Sequence, residues 1–376
     1  MKLVQINLQP HFGGGEVYTA FLCRALSHLG VPTRLLVHPR AVFWERLDLP
    51  ADTLRIAVAS TADLQRYLPA APLWLLSHGP LPAELRTALP GRLLTAIAHM
   101  PVQGRNPMAF SDHERIYAVS GWVRDGLRAA GLPAWQEPLY GVAEPGLRGS
   151  TGEIRRRSRY DWDRRKGRDR LLGALEPFVA PLHRQPAFVR RDGLTLGIVS
   201  RLTPIKQFPL LFSQLAPVLA RHSQVAIEIF GSGGYASVRD LDAALRPCAG
   251  QVRFWGQQGN VDGIYRQLDY LLSGLPEKEA LGLNIIEAQA CGTPVIAVNA
   301  PPFTETVVNG ETGFLYRDPR QDGAADFARL LDALLAGRAR PQPERAVAHL
   351  ARFSFDAFVD RLRPVVADAA LQLSRE

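Results

Sequence analysis

The sequence predicts an α/β protein built from two doubly wound domains. Short apolar runs of four to six residues alternate with stretches of helical periodicity, from the first residues to about residue 335. The alternation lapses once, near residues 145–192, and then restarts in the same style. The 376 residues also suit two cores, at roughly 100–200 residues per domain.

In the first half, strands are expected at Leu3–Asn7, Thr33–Val37, Leu73–Ser77, Leu93–Ala98 and Arg115–Val119. Val17–Leu29 carries apolar residues at helical spacing and stops at Gly30, and Val123–Ala130 closes at Gly131 and Pro133. In the second half, strands are expected at Leu194–Val199, Val225–Phe230, Val252–Trp255, Tyr270–Ser273 and Val295–Val298. Helices fall between them at Phe208–His222, Val238–Leu245, Val261–Gln267, Leu283–Cys291 and Ala324–Leu335. Repeated strand–helix units imply parallel sheets with helices on both faces. The expected division is 1–145 for the first domain, 146–192 for an insertion or linker, and 193–352 for the second domain. Residues 353–376 hold an amphipathic helix, Phe355–Leu373, expected to cross back to the first domain. Two such domains facing across a cleft bind ligands at their strand-to-helix turns.

Composition excludes several classes. With 47% hydrophobic and 21% charged residues the chain is not disordered, collagen-like or coiled-coil. Cys23, Cys248 and Cys291 form no CxxC pair, so neither a disulfide framework nor a zinc site is expected. No apolar run approaches the ~18–20 residues that span a bilayer. Met1–Ile6 reads as a strand rather than a leader, and a reducing, cytoplasmic setting fits. The net charge is +8, and residues 148–170 hold ten basic against four acidic residues. That segment is a candidate surface for phosphates, anionic lipid or nucleic acid, or else a solvated loop.

Three constellations stand at strand-to-helix turns. Gly13-Gly14-Gly15-Glu16 follows the first strand, where an unencumbered helix N-terminus suits an anion; a plain tight turn is the alternative. It is not the GxGxxG fingerprint. Arg201 and Lys206 flank a proline turn after Leu194–Val199, spaced to grip a diphosphate from two sides. Glu279 and Glu287 bracket a helix start at which the Gly282 and Leu283 amides are open to phosphate oxygens, while the two acids can accept hydrogen bonds from two sets of hydroxyls.

With these residues in place the chain resembles glycosyltransferase family 4, retaining enzymes of the GT-B fold, two Rossmann-like domains. Glu279, seven residues, Glu287 and then Gly292-Thr293-Pro294 match the family's mark. Arg201/Lys206, the glycine turn Gly231–Gly234, Phe254–Gln258 and Asn309–Leu315 match further segments, as do Gly13-Gly14, His99 and Val119-Ser120 in the first half. Three departures stand out: Ala280-Leu281 after the first Glu, Tyr140-Gly141-Val142 near the domain boundary, and the long basic segment.

The resemblance implies roles. Arg201 and Lys206 neutralise the donor diphosphate, Glu279 holds hydroxyls of the transferred sugar, and His99 lies close to that sugar. Glu287 holds the ribose hydroxyls, and Gly14, Gly15 and Gly231 allow close backbone approach. Gln257 and Gln258 edge the base, and Gly282 and Leu283 meet phosphate oxygens. It implies a UDP- or GDP-type sugar as co-substrate, no metal and no other cofactor. A glycan or lipid-linked acceptor is implied, as in cell-surface polysaccharide or lipopolysaccharide synthesis. An anionic membrane surface is a candidate partner of 148–170, which would place the enzyme peripherally on the inner face of the membrane; no nucleic acid is expected. The competing readings are a nucleotide-sugar epimerase or a phosphorylase of the same fold, and a basic nucleic-acid-binding protein.

Overall fold

The computed structural model describes residues 1–59, 61–69, 72–82, 92–144, 152–162, 167–179 and 187–375. Arg148, Arg164, Arg165 and Lys166 of the basic run lie outside the described residues, as do the Arg168 side chain and the expected boundary at 145/146. The chain divides into two compact units, Met1–Ala143 with Ala351–Glu376, and Glu144–Leu350.

The first unit is built on strands β1 (Leu3–Asn7), β2 (Thr33–Val37), β3 (Thr53–Ala57), β4 (Leu73–Ser77), β5 (Arg92–Ala98) and β6 (Arg115–Ala118). They are paired in parallel in the order β3-β2-β1-β4-β5-β6. The second unit carries β7 (Leu194–Val199), β8 (Val225–Phe230), β9 (Val252–Phe254), β10 (Tyr270–Leu272), β11 (Val295–Val298) and β12 (Gly313–Tyr316). Its order, β12-β11-β10-β7-β8-β9, is the same winding with all strands again parallel. In each sheet the order reverses beside the unit's first strand, the switch point at which doubly wound sheets bind ligands.

The central strands are largely apolar because helices cover both faces. All five residues of β4 and all six of β8 are buried. The acid within β8, Glu228, is fully buried. It is neutralised by Arg253, whose Nε lies 2.9 Å from Oε1, and by Arg191, and its Oε2 also accepts from Trp255 Nε1 at 2.7 Å.

Among the described residues the helices of eight residues or more are α1 (Gly14–His28), α2 (Gly121–Ala129), α3 (Gly167–Val179), α4 (Phe208–Leu219), α5 (Tyr235–Ala244), α6 (Leu283–Ala290), α7 (Ala325–Leu335) and α8 (Phe355–Leu373). Gly30, Gly131 and Gly292, read as helix stops, adopt φ of +71°, +73° and +77°. Ser120 and Ser354 cap α2 and α8, each accepting a backbone N–H at 3.1 Å. The C-terminal helix α8 packs on α1 and against β4 and β5, burying Phe358, Val359, Leu362 and Val365 in the first unit.

Two strands were not expected, nor, among the helices of eight residues or more, was α3. β3 is an edge strand with Leu54, Arg55 and Ala57 exposed, so its sequence lacks a buried run. β12 begins inside the Asn309–Leu315 turn motif, and α3 begins in the basic segment and runs beyond it. The described part of that segment is not a freely solvated loop. Ile154 is buried in the second unit's core, and Arg155 bridges to Ala187 in antiparallel fashion. Arg157 N donates to Trp255 O at 2.9 Å, and Asp161 N to Gly233 O at 2.8 Å. Residues 152–162 thus run as a strap along the edge strand β9 and across the loop that follows β8.

Two changes test this packing. Phe358→Ala, at the edge-to-face contact with Tyr18, is expected to cost about 3–5 kcal/mol, read as a lower urea midpoint. Gly256, with φ +67°, lies under the strap, and a Cβ there would come within 2.3 Å of Ser158 O. Gly256→Ala is expected to cost about 2 kcal/mol and to expose Arg155–Arg157 to trypsin.

Candidate active site

In the second unit Arg201, Lys206, Glu279, Gly282 and Leu283 gather at the switch point between β7 and β10, while Gly231 follows β8 and Gln257 and Gln258 follow the edge strand β9. The turn after β7 carries Arg201 and Lys206, and Lys206 N closes on Thr203 O at 3.0 Å. The chain leaving β10 runs directly beside it: a Cβ at Gly274 would lie 2.4 Å from Lys206 O. That approach places Glu279 so that its Oε2 ion-pairs with Lys206 Nζ, with both side chains largely shielded. Glu279 Oε1 accepts from the Ala280 amide at 3.3 Å. The Arg201 guanidinium is exposed and makes no hydrogen bond or ion pair among the described residues. The charges balance one ammonium against one carboxylate and leave one planar cation uncompensated, suited to an anion with more than one oxygen.

Helix α6 points its N-terminus into the same turn. Gly282 caps it at φ +85° in the left-handed region, and a Cβ there would come within 2.9 Å of Ile285. Leu283 is the first helical residue, and Asn284 Nδ2 donates to Val199 O at 3.2 Å, tying the helix start to the end of β7. Glu287, one turn further, accepts from the Tyr265 hydroxyl at 3.1 Å.

Gly231 ends β8, and a Cβ there would lie 1.8 Å from Ser200 O, so only glycine lets the β7 and β8 loops approach so closely. Gln258 is engaged with its own surroundings: Nε2 donates to Arg155 O at 2.7 Å and Trp255 O at 2.6 Å. It anchors the strap, whereas Gln257 is exposed and its side chain has no partner among the described residues. Ser232 Oγ donates to Asp161 Oδ1 at 2.6 Å, and Tyr160 stacks on Tyr235 with ring centroids 5.8 Å apart, so the strap borders the glycine turn.

In the first unit Gly14 and Gly15 form the opening turn of α1, which starts three residues earlier than expected, with Gly13 in extended backbone as its cap. None of the three glycines uses the left-handed region. His99 follows β5, half-buried, and a Cβ at Gly15 would stand 4.0 Å from its Nδ1. Sequence reading missed the company His99 keeps. Nε2 of His99 lies 2.9 Å from Nδ1 of His78, which ends β4; His78 Nε2 lies 2.9 Å from Gln5 Oε1 of β1. Thr19 of α1 stands 3.1 Å from His78 Nδ1. Burial, and then the neighbouring His99, hold His78 well below its ordinary value, and burial takes His99 to about 4. Both imidazoles are therefore neutral near pH 7. The available signal was a second histidine directly after a buried strand, the same position that singled out His99.

Among the described residues no group of three or more His, Cys, Asp or Glu is placed to hold a metal ion, and no helix is long and apolar enough to cross a membrane.

Residues 181–348 match the family model described as Glycosyl transferases group 1. The chain is 31% identical over 203 residues to a D-inositol 3-phosphate glycosyltransferase of Actinosynnema mirum, covering 51% of this chain and 48% of that protein. It therefore spans about half the length of that relative. The enzyme of the same name from Thermobispora bispora is 27% identical over 428 residues, covering 96% of this chain and 91% of that one. The crystal structure of Anabaena Alr3699/HepE in complex with UDP and glucose superposes with a TM-score of 0.67 at 16% identity, covering 98% of this chain and 100% of that one. The chain has the GT-B fold of two parallel six-stranded α/β units, and the residues that match the Glycosyl transferases group 1 model span most of the second.

Proposed function

We propose that the protein is a retaining glycosyltransferase that moves a sugar from a nucleotide-diphosphate sugar to a hydroxyl acceptor. One observation carries the reading: Arg201, the Lys206–Glu279 pair and the N-terminus of α6 converge on the switch point of a doubly wound sheet. The group 1 segment covers this site, and one structure of the same fold holds UDP and glucose.

As the bond between sugar and diphosphate breaks, negative charge grows on the leaving oxygen. Arg201, the Lys206 ammonium and the amides opening α6 stabilise that charge more in the transition state than in the ground state. Lys206 has three donors, so it can hold Glu279 and a phosphate oxygen together. Glu279 orients hydroxyls of the transferred sugar, and Glu287, steadied by Tyr265, those of the ribose. The leaving phosphate itself takes the acceptor proton on the face it departs from, so the product keeps the donor's anomeric configuration. No covalent carboxylate nucleophile is required, unlike the two-carboxylate glycosidase scheme. The relatives' names favour a phosphorylated polyol among the acceptors, beside a glycan or lipid-linked hydroxyl of cell-surface synthesis.

A membrane-surface role for the basic segment has a specific observation in its favour. Leu171, Leu172 and Leu175 are exposed on α3, which also carries the exposed Arg170, and Arg155–Arg157 are exposed earlier in the same segment. Leucines flanked by arginines suit the interface of an anionic bilayer, where each cation adds about 1 kcal/mol.

Lys206→Ala and Glu287→Ala are each expected to lower kcat/KM by about 100-fold or more while the fold is kept; near-normal values in both would remove the site assignment. A thermal-shift panel of nucleoside diphosphates and their sugars should raise Tm for one base. Product NMR should show a retained anomeric centre, whereas donor consumed without any acceptor would indicate an epimerase. Co-sedimentation with anionic liposomes should fall on Leu171→Glu together with Leu175→Glu; unchanged binding removes the membrane role.

A further inference from the structure

The histidine pair of the first unit carries an inference about how His99 is held. Gln5 is fully buried on β1, and its amide nitrogen lies 3.4 Å from Cys23 Sγ. Its carbonyl oxygen therefore faces His78 Nε2, at 2.9 Å. A carbonyl only accepts, so His78 carries its proton on Nε2, and in the neutral ring Nδ1 is left with a lone pair. Two groups face that lone pair. Thr19 accepts from Asn7 Nδ2 at 3.0 Å and shares its single proton between Gly15 O at 2.8 Å and that lone pair at 3.1 Å. The remaining donor is His99 Nε2, 2.9 Å away. Two facing lone pairs at that separation would repel, so the proton on His99 sits on Nε2.

We propose that Gln5 and His78 are positioning residues that fix His99 as the Nε2–H tautomer and turn its Nδ1 into a hydrogen-bond acceptor beside the N-terminus of α1. The near-parallel His78 and His99 rings, 13° apart with centroids 5.2 Å distant, hold this line, and Tyr18 sets its edge against the His99 ring at 5.0 Å. The placement of Nδ1 points the same way. It faces Gly15, in the first turn of a fifteen-residue helix, where the positive end of the helix dipole favours a lone pair over an N–H. His99 then takes a hydroxyl proton of the substrate into a hydrogen bond and orients that hydroxyl; it serves neither as a proton donor nor as a cation. The identity of that hydroxyl as one belonging to a sugar rests on the function proposed above.

The test uses the full chain with 15N-labelled histidine. A coupling across the N–H···N bond between His99 and His78 is expected, with the proton bound to His99 Nε2. A proton on His78 Nδ1, or no coupling, overturns the proposal. His78→Leu is expected to lower kcat about tenfold with donor KM little changed, as outer partners of a working imidazole do. His78→Asn places an amide oxygen near the Nδ1 position and is expected to recover most of the loss. Wild-type kcat in folded His78→Leu, or equal loss in both variants, also overturns it. A wild-type protein that binds no nucleotide sugar would sink the proposed function and leave the coupling measurement standing.

Discussion

In both sheets all six strands run the same way, and most of the rest follows from that. Parallel strands need crossovers, the crossovers put helices on both faces, and every strand then delivers its carboxyl end to one edge. The residues with chemistry collect along that edge because a buried strand interior has no room for them. β1, β4 and β5 release Gly13–Gly15, His78 and His99, while β7, β8 and β10 release Arg201 with Lys206, the Gly231–Gly234 turn, and Glu279. Two buried polar groups that enter the sheets are satisfied in place: Glu228 by two arginines and an indole, and Trp74 by Thr95.

The site in the second unit was largely legible in the sequence. Glycine and proline punctuation marked the turns after β7 and β10, and the charged residues there stand at those turns. The ion pair between Lys206 and Glu279 was not legible, because it joins positions 73 residues apart through the approach of two loops at Gly274. β3 was missed because an edge strand exposes alternate and flanking residues and so lacks an apolar run. The onset of α1 was placed too late because glycines oppose helix in isolation, whereas here they open the first turn, where no side chain is needed to hold it.

The strap had the least readable role. Its arginine run looks like solvated surface, yet every second or third residue is tied down: Ile154 in the core, Arg157 to Trp255, and Arg159 to Asp242. Arg159 also lies over the rings of Tyr160 and Phe254. The anchors are backbone groups and aromatic faces of distant segments, which leave no local periodicity. The same holds for His78, whose importance comes from Gln5 and His99, one on each side of it in space and both far from it in sequence.

The last helix belongs to the unit that the chain begins. Phe353, Phe358 and Leu362 complete a core whose strands end near residue 118, while Glu144–Leu350 closes on itself in between. On a ribosome, therefore, the middle of the polypeptide can reach its native state first. The leading portion must wait with part of its apolar surface uncovered until the Phe355–Leu373 helix emerges, and nascent chains stalled or cleaved before that point would display the uncovered patch to chaperones and proteases.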